Sequence, residues 1–281
     1  MKIKEAIEKG TIELKMENID TPKMKARMLM QFILKQPRQY IIVHDQENLT
    51  SVKQLEYFEG IKKLRNNIPL EHITHQKEFM KLNFFVDENV LIPRQDTEIL
   101  VEEVIRIAKK TNSKKILDLC TGSGAIAVSL AKYIENSKIT AVDISHKAIQ
   151  VAKKNATINN VEKQITFIES NLYEMVPEEK YDIIVSNPPY IKKDVIKSLE
   201  RQVQKEPIIA LDGGEDGLDF YRKIIKESYS YLKYNGYLCL EIGHDQKEEV
   251  IQLLESRGHY SNIYSKKDYY DKDRIVVAQM K

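Results

Sequence analysis

The residues with the types and spacing to do chemistry fall in three short stretches. The first, Asp118-Leu119-Cys120-Thr121-Gly122-Ser123-Gly124-Ala125-Ile126-Ala127, joins an apolar run to a helical one. Gly122 and Gly124 permit a tight turn and close approach of a ligand to the backbone. Gly122 to Ala127 also fits the G-x-G-x-x-A pattern, which a plain strand-to-helix turn satisfies equally well. The second element is Asp143, which closes the next apolar run where a carboxylate accepts hydrogen bonds from both hydroxyls of a ribose. Together they indicate a ribose-containing cofactor. Asp118, just before the loop, can face an ammonium group and would repel a pyrophosphate. That favours S-adenosylmethionine over a nicotinamide dinucleotide.

The third stretch is Ser186-Asn187-Pro188-Pro189-Tyr190. Two prolines remove two backbone donors and fix the chain, so the loop offers acceptors. The nitrogen of an amide or aromatic amine is a poor nucleophile because its lone pair is conjugated. The Asn187 side-chain oxygen and the Pro188 carbonyl can hold its two N–H groups and pull it toward tetrahedral geometry, aiming the lone pair at a sulfonium methyl. Pro189 shapes the loop and Tyr190 supplies a ring to pack on the planar acceptor. No strong base is needed, because the nitrogen becomes acidic once methylated. Asn187, Pro188 and Tyr190 are the expected catalytic residues, and Asn187 to Tyr190 the expected substrate contacts.

These loops need a scaffold. Strands KKILDL, KITAV, QITFIE, YDIIVS, GYLCLEI and RIVVA alternate with helical patterns from Lys114 to Ala278. Such alternation predicts an α/β fold with a parallel sheet covered on both faces, ligands lying beyond the carboxyl ends of its strands. Before it, Asp20-Thr21-Pro22 starts a helix that Pro37 ends. Thr50 or Ser51 starts another, with Val52, Leu55, Phe58, Ile61 and Leu64 at near-helical spacing. Phe79 to Ile92, interrupted by Asp87-Glu88-Asn89, reads as a β-hairpin. The following helix is expected to be capped by Asp96 or Thr97, with Glu98 complementing its dipole. The predicted organisation is a helical substrate-binding domain over 1–75, a hairpin linker over 76–95 and a cofactor-binding catalytic domain over 96–281.

Composition narrows the function classes. The chain has 281 residues and a formal charge of only +2, so no basic excess points to a dedicated nucleic-acid binder. Two cysteines, Cys120 and Cys239, form no disulfide framework and fit a reducing cytosol. The charged start MKIKEAIEKG lacks a signal peptide's apolar core, and no apolar run reaches the roughly 18 residues that span a bilayer. A cytoplasmic protein is expected. His72 and His75 are three apart without a second ligand pair, so no metal is expected.

The set resembles the release factor glutamine methyltransferases, the HemK/PrmC family, over nearly the whole chain. The matches are DLCTGSGAIA, Asp143, SNPPY, VLIPRQDTEILVE from Val90 to Glu102 and EPIIALDGGEDGL from Glu206 to Leu218. The resemblance implies a Rossmann-like seven-stranded methyltransferase sheet with a helical N-terminal domain. It implies methylation of the glutamine of the Gly-Gly-Gln tripeptide in class I peptide-chain release factors, which would be the partners, with no membrane or direct nucleic-acid partner. It carries the cofactor loop over to Cys120 through Gly124, the ribose acid to Asp143, the acceptor loop to Asn187 through Tyr190, and an adenine contact to Asn171 or Leu172. Cys120 stands where many relatives have Gly, Gln95 where Pro is expected, and Leu172 where some members have an aromatic. Competing expectations are a ribosomal-protein glutamine methyltransferase and a DNA or ribosomal RNA amino-methyltransferase. Outside that group stand a non-catalytic cofactor-binding scaffold and an NAD oxidoreductase.

Overall fold

Helical spacing of apolar residues in the first quarter of the chain produces five helices around one core. They are α1 (Ile3–Met16), α2 (Pro22–Leu34), α3 (Arg38–Val43), α4 (Ser51–Arg65) and α5 (Leu70–Thr74). Leu14, Leu29, Met30, Tyr57, Ile61 and Leu64 form its centre. Thr50 caps α4, its Oγ1 accepting from the Lys53 amide at 3.3 Å. The row expected to line the buried face of α4 does so only in part: Ile61 and Leu64 are buried, but Val52 and Leu55 are each 64% exposed. Steps of three residues fall about 60° short of a full turn each, so the row winds round the helix and Tyr57 and Gly60 take the inner positions. The computed structural model describes residues 1–281 as two units: Met1–His75 with Glu200–Lys205, and Gln76–Leu199 with Glu206–Lys281. Lys25, buried in the first, pairs with Asp20 and donates to Gln202 Oε1 at 2.9 Å, which fastens the returning segment to the helices.

The second unit begins with a smaller hairpin than the sequence suggests. Strand β1 (Lys77–Phe79) pairs antiparallel with β2 (Leu82–Phe84), so the turn is Met80-Lys81 and not Asp87-Glu88-Asn89. Both turn residues have positive φ, 49° and 58°, as a two-residue hairpin of right-handed twist demands. Neither is a residue that usually announces such a turn. Residues 87–89 instead make a local turn, the Asn89 amide donating to Asp87 Oδ1 at 3.0 Å, and Val90 and Ile92 are buried without forming a strand.

Helix α6 (Gln95–Thr111) follows, with Arg94 at its cap position and no side-chain cap. Asp96 and Thr97 lie inside its first turn, so neither is free to cap it. Glu98 accepts from the Met80 amide at 2.6 Å and ties helix to hairpin. Then come β3 (Lys115–Leu119), α7 (Ala125–Tyr133), β4 (Lys138–Asp143), α8 (His146–Ile158), β5 (Ile165–Glu169), β6 (Tyr181–Ser186), α9 (Asp219–Tyr231), β7 (Leu232–Glu241), α10 (Lys247–Ser256), β8 (Tyr260–Lys267) and β9 (Asp273–Met280). The sheet has seven strands in the order β5-β4-β3-β6-β7-β9-β8. It is parallel except for β9, antiparallel to both β7 and β8, so the wholly parallel expectation is corrected at this edge. Successive side chains on the central strands enter opposite cores. Ile116, Ile183, Cys239 and Val277 pack with α6 and α7, while Leu117, Ile184, Leu238 and Val276 pack with α9 and α10. Helices therefore cover both faces, and the Rossmann-like α/β class holds.

Candidate active site

Strand order reverses between β3 and β6. From β3 the chain winds outward through β4 and β5, and from β6 it winds the other way through β7. Loops leaving the carboxyl ends of these two strands diverge and open a crevice. Ser186 joins the two strand ends, its hydroxyl donating to the Leu119 carbonyl at 2.7 Å.

On the β3 side, Cys120 has φ 59°, a left-handed backbone that disfavours a residue with a Cβ and accounts for glycine serving well at this position. Gly124 begins α7 with φ 78°, where a Cβ would stand 2.9 Å from that of Ala152. This glycine lets α7 and α8 approach, and it does not line the crevice. Asp143 holds the loop: its Oδ2 accepts from the Gly122 amide at 2.8 Å and its Oδ1 from the Ser145 amide at 2.9 Å. Each oxygen keeps a further lone pair for a ligand hydroxyl. Burial raises its pKa above the ordinary carboxylate value, against the pull of these amides.

Asp118 is fully buried at the end of β3. Thr121 donates to its Oδ2 at 2.6 Å, and the Ala127 amide lends support, but Oδ1 completes no hydrogen bond. Burial pushes this carboxyl up to about 7, and the nearby Asp143 charge adds to the shift. An orphaned acid of this kind suits a cationic ligand group, and an ammonium beside it would restore the charged form.

Cys120, Thr121, Gly122, Ser123, Asp143, Asn171, Leu172, Asn187 and Pro189 all line one open cleft. Leu172 lies on the lining with φ 49°, so a strained loop presents an aliphatic face where an aromatic was the alternative. Pro188 is buried and Tyr190 half-buried, and neither is on the lining. Tyr190 packs on the α9 side of the sheet, and its carbonyl accepts from Gln246 Nε2 at 3.0 Å. The cleft also contains Thr97, which the sequence suggests only as a helix cap, and Ile144 and Phe220, which the sequence reading passed over. Ile144 carried a usable signal, an apolar residue directly after a strand-ending acid, and it is 51% exposed. Glu206 is buried, accepting from the Ile92 amide at 3.1 Å and from Arg94 at 2.5 Å, so it braces the segment before α6.

Comparison with known proteins agrees with this geometry. Residues 95–206 match the model of the Methyltransferase small domain, and residues 5–74 that of the PrmC N-terminal domain. The release factor glutamine methyltransferase of Clostridium acetobutylicum is 43% identical, the match covering 99% of this chain and 98% of that one. The enzyme of the same name from Clostridium botulinum is 37% identical over 99% of each chain. Among solved structures, a methyltransferase from Pyrococcus furiosus superposes with a TM-score of 0.51 at 19% identity, over 82% of this chain and 98% of that one, a likeness of fold. With whole-length relatives at this identity and a cleft whose residues suit S-adenosylmethionine, the chain belongs to the release factor glutamine methyltransferase family and is an S-adenosylmethionine-dependent methyltransferase.

Proposed function

We propose that this protein methylates the side-chain amide nitrogen of the glutamine in the Gly-Gly-Gln tripeptide of class I peptide-chain release factors. The observation that carries the reading is that Asn187 and Pro189 line the same cleft as Cys120 through Ser123 and Asp143. A planar nitrogen held by the acceptor loop therefore meets whatever the cofactor loop holds. Asp143 accepts from ribose hydroxyls, and Asp118, fully buried behind the cleft lining with one oxygen unpaired, attracts the ammonium group from below the loop. Asn171, Leu172 and Ile144 border the adenine. S-adenosylmethionine, when bound, supplies an electrophilic sulfonium methyl. Asn187 Oδ1, on the cleft lining, accepts an N–H group of the substrate amide, which weakens the conjugation of its lone pair. The prolines contribute no competing N–H. The extra proton leaves to water after transfer, since a methylated amide nitrogen bearing it is strongly acidic.

The cleft grips a small planar group and cannot alone select one glutamine, so selectivity rests on contacts away from the reacting nitrogen. The helical unit supplies a surface for them. Its groove is lined by Lys4, Lys15, Lys23, Arg27 and Arg38 against only Glu8 and Asp45, with Ile12 and Ile42 exposed within it. A release factor with an acidic, partly apolar patch fits that face. The test is methyl transfer to purified release factor followed by mass mapping. A single added methyl on the Gly-Gly-Gln glutamine is expected. Methyl on another residue, or on ribosomal protein or RNA in preference to release factor, would overturn the reading.

A further inference from the structure

Asn187 can hold a substrate N–H only if its side-chain oxygen, and not its NH2, faces the cleft. An amide rotates readily between the two orientations, so something must choose between them. The buried side of Asn187 provides the choice. Its Nδ2 donates to Thr97 Oγ1 at 3.2 Å. Thr97 stands in the first turn of α6 and is 4% exposed. On the neighbouring strand, Ser186 is in register with Leu240, so Asn187 and Glu241 follow each other's partners at the same level of the sheet. Glu241 is 1% exposed, and its Oε2 completes no hydrogen bond.

We propose that Thr97 and Glu241 are positioning residues that take the N–H groups of the Asn187 amide, leaving Asn187 Oδ1 as the amide atom presented to the substrate. The inference rests on the reading of Asn187 given above. An ionised carboxylate has only acceptors, so the NH2 end of the amide must turn toward it. Burial raises the Glu241 carboxyl to about 7, while hydrogen bonds from Thr97 and Asn187 and the charge of Arg274 pull it back down. The charged and titratable groups facing it are Arg274 on β9, Asp96 on α6, Tyr190 after β6 and Tyr221 on α9. Arg274 also pairs with Asp96 at 3.3 Å and Asp268 at 2.9 Å, so its charge is shared among three acids. When Glu241 is protonated it becomes a donor and favours the opposite amide orientation. The substrate N–H then meets another N–H. Turnover should therefore fall as pH drops below about 7, at a step after both substrates are bound.

The test uses the full chain, S-adenosylmethionine and purified release factor, with cofactor affinity measured by calorimetry as proof of folding. Thr97→Val and Glu241→Gln should each lower kcat about ten- to a hundredfold, with the release factor KM and the cofactor Kd within about threefold of the parent. Thr97→Ser, which restores the hydroxyl, should recover kcat to within about threefold. The acid limb of kcat should be present in the parent and absent from Glu241→Gln. A normal kcat in Thr97→Val, equal damage from Thr97→Ser, or an acid limb that survives in Glu241→Gln would overturn the proposal. If Thr97→Val does not bind cofactor, Glu241→Gln and its pH profile decide. Asn187→Ala separates the two levels. If it turns over normally, the acceptor-loop reading fails. If it is inactive while Thr97→Val and Glu241→Gln are normal, only the positioning role fails.

Discussion

The two units of this chain differ in how they are closed. In the sheet unit most apolar side chains are turned inward, into cores on both faces, and the functional residues sit in a concave cleft at the strand ends. In the helical unit a single small core is closed, and Ile12, Met16, Met24, Ile42 and Val43 remain more than half exposed. A site for chemistry needs enclosed, fixed dipoles, whereas a surface for recognising another protein needs area, adaptable side chains and charge. On the division of labour proposed above, substitutions in one unit should leave the other's task intact.

The harshest way to break that comparison is to remove one side of it. Deleting residues 1–73 should lower kcat/KM on folded release factor by about a hundredfold or more, while cofactor affinity stays within about threefold. The helical core shares no residue with the cores of the sheet unit, which is why cofactor binding should survive. Full activity of a folded truncated protein on whole release factor would end the division of labour. A milder test stays inside the cleft. Asp143→Ala should weaken cofactor binding about ten- to a hundredfold through loss of charged hydrogen bonds. Because Asp143 also holds the Gly122 amide, cofactor should protect the variant from heat less well than it protects the parent. Unchanged affinity by calorimetry would remove Asp143 from the ribose site.

A third test is the pH dependence of the same binding step. The Asp118 carboxyl is protonated below about 7 and charged above it, against an ordinary value of 3.8. Its folded pKa is raised, so in the ligand-free protein its contribution to stability falls as pH climbs from 3.8 to about 7. A cationic ligand wants the charged form, so cofactor affinity should rise through that window and be about tenfold weaker at pH 6 than at pH 8. The dependence should flatten in Asp118→Asn. If calorimetry gives the variant the parent's pH profile, Asp118 does not face the ammonium group. The smallest effect belongs to the helical groove. Reversing one charge there, Lys23→Glu, should raise the release factor KM about three- to tenfold and flatten its response to salt, with kcat unchanged.

What could be read from the sequence divides along similar lines. The glycine loop, Asp143 and the Asn-Pro-Pro-Tyr run stand out in the sequence because each is contiguous, but contiguity does not tell which of their residues face the cleft: Gly124, Pro188 and Tyr190 do not line it. The parallel strands were legible as apolar runs between helices. The hairpin was misplaced because Met80-Lys81 adopts left-handed backbone without the residues that usually mark it. The edge strand β8, with its mixed pattern YSNIYSKK and mostly half-buried side chains, offered no apolar run to find. Thr97 read as a cap, and its partnership with Asn187, 90 residues away, exists only after α6 has packed beside β6. Glu241 read as one residue of an apolar strand, and only burial singles it out.

The placement of β9 between β7 and β8 bears on how the sheet can be completed as the polypeptide emerges during synthesis. The strands β3 to β7 can join a growing sheet in the order β3, β4, β5 on one side and β6, β7 on the other. The next to emerge, β8, has no neighbour waiting for it, because its sheet partner is β9 and β9 comes after it. Until Asp273–Met280 is made, β7 has an open edge, and the apolar side of α10 lacks the Val276 and Ala278 that cover it. A nascent chain stalled between β8 and β9 would thus display an unpaired strand beside exposed apolar surface, the kind of intermediate that chaperones bind.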